Sequence, residues 1–350
     1  MSDEFREILK QRARGPTHLG ELEPALCERA MELILSGEAT PAQIGGFLLV
    51  GRAVGDTAAE TAAYTRPMRS LSRKMEAPNG SPTVTVTGGF DGKLRTSNVG
   101  AAASLVAAAA GGRTLLLGCG GTPPKAGHTS FDTLRALGIS APQSLEEAEI
   151  SLAERGFAAT SVEHYLPELH ALLPLRWEIA RWTVLSVAEK LVSPLPETRF
   201  MVGVTHRPFL RTIAETFSYL GVEHALVYQA IEGSDEAPLD GSSSLFRVRE
   251  DHIEEFTVAP ESLGLPRATR ASIPWHGPDA EREGLRAVFE NFGSEEARAL
   301  VLYNAALRLW MGDESVKSRL EAHLGRAREV IESGAALRML EEPLPAVVSG

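Results

Sequence analysis

From Phe5 to Lys74 the apolar positions recur at helical spacing and at no other. Phe5 to Arg14 is a short amphipathic segment, and Leu22, Leu26, Ala30, Met31, Ile34 and Leu35 share one face of a helix over Leu22 to Leu35. Gly37 ends that helix, and Thr40-Pro41 offers an N-cap and a first-turn proline to the next. That segment, Pro41 to Val54, is apolar nearly all round (Ile44, Phe47, Leu48, Leu49, Val50), a pattern that predicts burial. Thr57 to Lys74 reads as a fourth helix ending in Arg66, Arg69, Arg73 and Lys74, the ordinary signature of a solvated face. The periodicity then breaks at Ala77-Pro78-Asn79-Gly80-Ser81-Pro82, a turn-rich hinge between domains.

After the hinge the period changes. Thr83 to Thr87 alternates Val and Thr as a strand, Asn98 to Ala110 is an Ala-rich helix, Thr114 to Leu117 a second strand, and Ser130 to Leu137 a second helix. His164 to Val192 reads as one or two helices carrying Arg176, Trp177, Arg181 and Trp182. Strand Met201 to Val204, helix Arg207 to Leu220 and strand Ala225 to Tyr228 resume the alternation. A polar loop over Gly233 to Ser244, two short strands (about Leu245 to Val248 and Glu255 to Val258) and two or three helices between Asp279 and Leu337 close the chain. Strand and helix in repeated succession predict an α/β fold with a mainly parallel sheet and crossover helices.

Composition narrows the classes. At 350 residues the chain suits two domains, and 43% hydrophobic with 23% charged residues is ordinary for a globular protein. No apolar run approaches the ~18 residues a membrane span needs, and the acidic opening Met1-Ser2-Asp3-Glu4-Phe5-Arg6 lacks the features of a signal peptide. Cys27 and Cys119 match no metal spacing, and a reducing, cytoplasmic setting is expected. The net charge of −11 argues against a surface that coats nucleic acid. Between Ala77 and Phe131, however, Asp91 is the only acid against Lys93, Arg95, Arg113 and Lys125, so this stretch is a place to hold an anion.

Three strand-to-helix loops carry candidate chemistry. In Thr87-Gly88-Gly89-Phe90-Asp91-Gly92 the paired glycines let the backbone come close to a ligand, and the helix starting near Asn98 offers free N–H groups. Together they read as a phosphate cradle that matches neither the dinucleotide fingerprint nor the P-loop. Gly118-Cys119-Gly120-Gly121-Thr122-Pro123-Pro124-Lys125-Ala126-Gly127-His128-Thr129-Ser130 joins the next strand to its helix and should lie beside the first loop, with Lys125 as a point charge and Thr129 or Ser130 as a cap. Glu232-Gly233-Ser234-Asp235-Glu236 places adjacent acids at a strand end, a common way to hold Mg²⁺ and equally the composition of a solvated loop. His206 precedes Arg207-Pro208 at a helix start, where capping is the expected role.

These pieces, in this order, resemble the anthranilate phosphoribosyltransferases and their glycosyltransferase relatives over nearly the whole chain. Thr87-Gly88-Gly89, Asp91-Gly92, Asn98 and Ala101 to Gly111 are similar to the family's Gly-Thr-Gly-Gly-Asp-Gly loop and Asn-initiated helix, which bind phosphoribosyl pyrophosphate. Glu232 to Glu236 resembles its Asp-Gly-Leu-Asp-Glu metal motif; Ser130 to Gly138, Pro208 to Gly221 and Leu35 to Gly51 resemble further family helices. The resemblance implies a helical domain over 1–76, with helices from about 165–192 packed on it, an α/β domain over 80–350, a cleft between them and a homodimer. It further implies a phosphorylated sugar donor held by Thr87, Gly88, Gly89, Asp91, Gly92, Asn98, Gly120, Gly121, Lys125, Thr129 and Ser130, with Mg²⁺ on Asp235 and Glu236 neutralising a pyrophosphate leaving group. Arg176, Arg181 and His206 are the implied acceptor-site residues.

The departures are specific. Where the family carries Lys-His-Gly-Asn-Arg in the second loop, this chain has Gly118-Cys119-Gly120-Gly121-Thr122, without charge; the Ser and Thr after the family's Asn are Gly100 and Ala101; and its acceptor-site arginine aligns with Trp182 or, one residue off, Arg181. The Arg176-Trp177 pair is similar to a divergent branch that lacks evident anthranilate activity and includes nucleic-acid binders. That branch implies an alternative: a non-catalytic homodimer whose groove, lined by Arg66, Arg69, Arg73, Lys74, Lys93 and Arg95 with Trp177 or Trp182 for stacking, takes single-stranded nucleic acid.

Overall fold

In a computed structural model of the chain, residues 2–13, 20–80, 82–250, 252–313 and 319–342 are described below. Arg14 and Ser81, assigned above to a helix and to the hinge, lie outside them.

The N-terminal helices are α1 (Asp3–Arg12), α2 (Pro24–Leu35), α3 (Pro41–Val54) and α4 (Ala58–Leu71). Thr40 with Gln43, and Thr57 with Glu60, form reciprocal capping boxes that fix the starts of α3 and α4. Helix α3 is not buried all round, since Leu49 remains 46% exposed. Helix α4 stops at Leu71, short of Lys74, and the Arg73 N–H then donates to the Tyr165 carbonyl. Arg12, fully buried, is held by Asp56 at 2.7 Å and by Glu60.

The α/β part comprises β1 (Val84–Thr87), α5 (Gly100–Ala109), β2 (Thr114–Gly118), α6 (Ser130–Ala136), α7 (Leu145–Arg155) and β3 (Phe157–Ser161). The segment expected to form one or two helices instead breaks into α8 (Val162–Tyr165), α9 (Pro167–His170), α10 (Leu173–Ile179) and α11 (Val184–Ala188), with Pro167 and Pro174 opening two of them. Then follow β4 (Arg199–Val204), α12 (Phe209–Tyr219), β5 (His224–Gln229), β6 (Ser243–Arg249) and β7 (His252–Val258). Among the described residues four helices follow rather than two or three: α13 (Pro278–Phe289), α14 (Glu295–Gly312), α15 (Leu320–Glu332) and α16 (Ala335–Glu341).

The strands form one sheet in the order β3-β2-β1-β4-β5-β6-β7, parallel from β3 to β5 and antiparallel from β5 to β7. Alternation in β1 sorts its side chains by chemistry. Val84 and Val86 enter the apolar core shared with α5 and α14, whereas Thr85 bonds the hydroxyls of Ser193 and Thr198 on the opposite side. Leu115 and Leu117 of β2 join a second core with α2, α3, α4 and α11, which seats the helical bundle on the sheet. The chain moves outward from β1 to β2 and β3, then returns to β4 on β1's other side. The topological switch point, where open α/β sheets leave a crevice at the carboxyl ends of the strands, therefore lies between β1 and β4.

Candidate functional site

The loop after β1 meets the chain itself. A Cβ built on Gly88 would fall within the contact distance of the Asp235 amide, and one on Gly89 lies 3.2 Å from Ser234 Cα. Gly92 and Gly127 pack backbone against backbone in the same way, and Gly203 of β4 closes on the Ser234 carbonyl. The glycines read from sequence as room for a ligand thus make room for the loop after β5 and for the second loop.

The start of α5 is likewise filled from within. Its N-cap position, Val99, has no side-chain cap, and the amides of Val99 and Gly100 donate to Glu236 Oε1 at 2.6 and 2.9 Å. The Asn98 amide donates to Glu281, and Asn98 Nδ2 to the His128 carbonyl. The helix-terminal anion site predicted for a phosphate accordingly holds the chain's own carboxylates.

Asp235 and Glu236 are buried, not on a solvated loop. Glu236 Oε2 accepts from Lys93 Nζ at 2.5 Å; Asp235 Oδ2 accepts from Arg308 at 2.8 Å and Asp235 Oδ1 from Ser130 Oγ at 3.0 Å. Burial pushes the Glu236 carboxyl up from its ordinary range; Lys93 opposes this and the neighbouring charge of Asp235 adds to it. All four oxygens of the two acids have protein donors, and a buried cation faces each carboxylate. Mg²⁺ demands near-ideal octahedral oxygen coordination, and this donor set does not fit it without displacing Lys93 or Arg308.

The other candidates separate into groups. Thr87 Oγ1 donates to the Lys190 carbonyl at 2.8 Å, and Thr129 caps α6 through Asp132. Asp91 accepts from Trp182 Nε1 at 2.9 Å and pairs with Lys125 at 3.3 Å, while Lys125 also donates to the Glu232 carbonyl. The Glu232 carboxylate accepts from the Leu94 and Arg95 amides and Thr96 Oγ1; burial would raise its pKa, but these donors hold it below its ordinary value. Gly120 is exposed with nothing near its Cβ position, and Gly121 lies against Gly127.

Of the acceptor-site candidates, Arg176 is buried in a two-point pair with Glu189 at 2.7 and 2.9 Å and is withdrawn from any cleft. Arg181 is exposed and donates to the Ala180 carbonyl. His206 is exposed at the end of β4 and does not cap α12, whose N-cap is Pro208 without a side-chain bond. The residues of the basic set divide: Lys93 is buried on Glu236, Arg69 donates to the Leu191 carbonyl beside the Phe200 ring and Arg66 pairs with Glu28, while Arg73, Lys74 and Arg95 are exposed. Burial draws the Arg69 guanidinium down to about 10.

The amino-acid sequence matches two family descriptions. Residues 6–72 match "Glycosyl transferase family, helical bundle domain" and residues 84–337 "Glycosyl transferase family, a/b domain". The chain belongs to this glycosyl transferase family. It is 33% identical to the anthranilate phosphoribosyltransferase of Rhodospirillum rubrum over 90% of this chain and 89% of that one, and 33% identical to that of Halorhodospira halophila over 94% and 95%. The crystal structure of anthranilate phosphoribosyltransferase from Thermus thermophilus superposes with a TM-score of 0.82 at 26% identity, covering 97% of this chain and 98% of that one. A Saccharomyces cerevisiae structure of that enzyme in complex with PRPP and Mg shares the fold (TM-score 0.81, 17% identity, 97% of each chain).

Within the glycosyl transferase fold, the residues that sequence reasoning missed are the partners of its motifs. Arg308 on α14, Glu281 on α13 and Lys190 after α11 are far from the loops they serve, and no local pattern marks them. The departure at Gly100 has a physical partner as well: a Cβ there would fall within the contact distance of the Asp235 carboxylate. Among the described residues, no helix is long and apolar enough to cross a membrane.

Proposed function

We propose that this glycosyl transferase family member binds a pyrophosphorylated sugar of the phosphoribosyl pyrophosphate class in the β1–β4 crevice and transfers its glycosyl group to an acceptor other than anthranilate. The observation that carries the reading is the convergence of three loops, those after β1, β2 and β5, on the switch point, with Lys125 among them. Departure of pyrophosphate leaves an oxocarbenium-like sugar, so a site of this kind works by holding the two reactants in line and stabilising charge. The acceptor reading is supported by Trp182, which with Arg181 shares the position where the resemblance expects an arginine and donates its indole N–H to Asp91, and by Arg176, which is neutralised by Glu189. Magnesium is left out of the residue set, because a buried cation already faces each of the two carboxylates, Arg308 on Asp235 and Lys93 on Glu236.

Calorimetric titration of the full chain with phosphoribosyl pyrophosphate, alongside a single-stranded oligonucleotide at low and moderate salt, tests the proposal. Saturable micromolar donor binding is expected, with no phosphoribosyl anthranilate formed when anthranilate is added. Absence of donor binding, together with steeply salt-dependent oligonucleotide binding, would sink it.

A further inference from the structure

Lys190 stands at the switch point with an ammonium that, among the described residues, pairs with no carboxylate. It lies in the short turn after α11, and its carbonyl holds Thr87 Oγ1 at the end of β1. Its Nζ donates to the Gly203 carbonyl on β4 at 3.1 Å and to the Gly233 carbonyl at 3.4 Å. Two of the three ammonium donors are thereby used, both on neutral acceptors. Among the described residues no acid oxygen lies within the 4.0 Å of an ion pair, in contrast to Lys93, Arg176 and Arg308 nearby. Asp91 and Glu189 act on Lys190 from further off, as does the like charge of Lys125. Yet Asp91 already faces Lys125, and Glu189 already faces Arg176, so the positive charge of Lys190 has no counterpart of its own. Beside it, Ser234 is 2% exposed and its hydroxyl has no protein partner. A buried polar group left so is costly, and an arriving anion offers the acceptor it lacks.

We propose that Lys190, with Lys125 beside it, binds the phosphate or pyrophosphate end of the ligand and supplies there the positive charge that a divalent cation would otherwise bring. The inference rests on the reading of the crevice as a site for a phosphorylated sugar. It accounts for two observations together: the acids expected to carry the metal are closed by Arg308 and Lys93, and a lysine without an acid stands in the same crevice. Charge-assisted hydrogen bonds of this kind are worth ~1.5–3 kcal/mol, or about ten- to a hundredfold in affinity.

The test is calorimetry on the full-length chain with inorganic pyrophosphate and with phosphoribosyl pyrophosphate, each in EDTA and in excess Mg²⁺, for the wild type, Lys190→Met and Lys190→Arg. Wild-type affinity in EDTA is expected within about threefold of that in Mg²⁺. Lys190→Met should lose at least about tenfold while keeping its circular dichroism spectrum, and Lys190→Arg should recover most of the loss, since it keeps the charge. Binding seen only with Mg²⁺, or Lys190→Met binding as the wild type does, overturns the inference and leaves the proposed function standing. Pyrophosphate binding without sugar-donor binding supports the role of Lys190 and overturns the sugar reading. No binding of either ligand by the wild type overturns both.

Discussion

The carboxylate of Asp235 and the guanidinium of Arg308 meet at 2.8 Å across 73 residues of chain, both sealed from solvent. Arg308 also donates to Ser104 Oγ and to the Asn304, Gly100 and Asp235 carbonyls, so one side chain ties α14 to α5 and to the loop after β5. Removing one member of a buried pair leaves an uncompensated charge, which costs ~3–5 kcal/mol. Arg308→Met should lose about that much in urea denaturation, and adding Asp235→Asn should restore part of it. Losses that simply add would show that the pair is not coupled.

The glycines of the site should be intolerant in proportion to what they touch. Gly88→Ala and Gly100→Ser would drive a Cβ into the Asp235 amide and carboxylate respectively, whereas Gly120→Ala meets nothing within 4 Å. Overpacking of this kind costs ~1–3 kcal/mol. Thermal melts should place the first two variants well below the wild type and Gly120→Ala beside it. Equal melting temperatures for all three would contradict the close approach of the two loops.

Lys190 should be a cation that the fold tolerates at a cost to its own stability. Burial draws its pKa below the ordinary 10.5, with Lys125 adding to this and Asp91 and Glu189 opposing it. With the folded value depressed, the unfolded chain binds the proton more tightly, so the charge opposes folding at neutral pH and the penalty fades as pH rises toward 10.5. Lys190→Met is therefore expected to be at least as stable as the wild type near neutrality, with the difference shrinking at alkaline pH. A loss above about 1 kcal/mol, the common cost of a substitution, would make Lys190 a structural residue.

His323 gives a slope of definite sign. Burial depresses its imidazole below the ordinary 6.5, helped by Arg326 and opposed by Asp313, whose carboxylate lies 3.2 Å away. As pH falls through 6.5 the unfolded chain takes up the proton first, so stability declines until the folded value is reached and then levels. His323→Gln should lose less melting temperature than the wild type between about pH 7.5 and 5.5. The comparison is of slopes, because the substitution has its own constant cost.

How much of this is legible in the sequence depends on distance along the chain. The Val/Thr alternation of β1, the Ala-rich α5 and the proline-opened α3 announce themselves within a few residues, and the α/β order follows from them. Strand β3 does not, because Phe-Ala-Ala-Thr-Ser is short, and four of its five residues are buried, so period two is erased. The short helices from α8 to α11 read as fewer and longer ones, because apolar residues run on across Pro167 and Pro174, which open α9 and α10, and across Ala180, whose left-handed backbone ends α10. The glycines and acids of the site are legible as residues but not in their roles. Their partners, Ser234 for Gly89, Lys93 for Glu236 and Arg308 for Asp235, become neighbours only once the sheet has formed.

The interlocked glycines have a consequence for how a ligand would be received. With Gly88, Gly89 and Gly203 pressed onto Ser234 and Asp235, the crevice floor is one block whose shape is set during folding. Such a floor loses little ordering entropy when something lands on it. Selection among ligands would then fall to the rim, where the exposed indole of Trp182 reaches Asp91 by a single hydrogen bond from the helical segment.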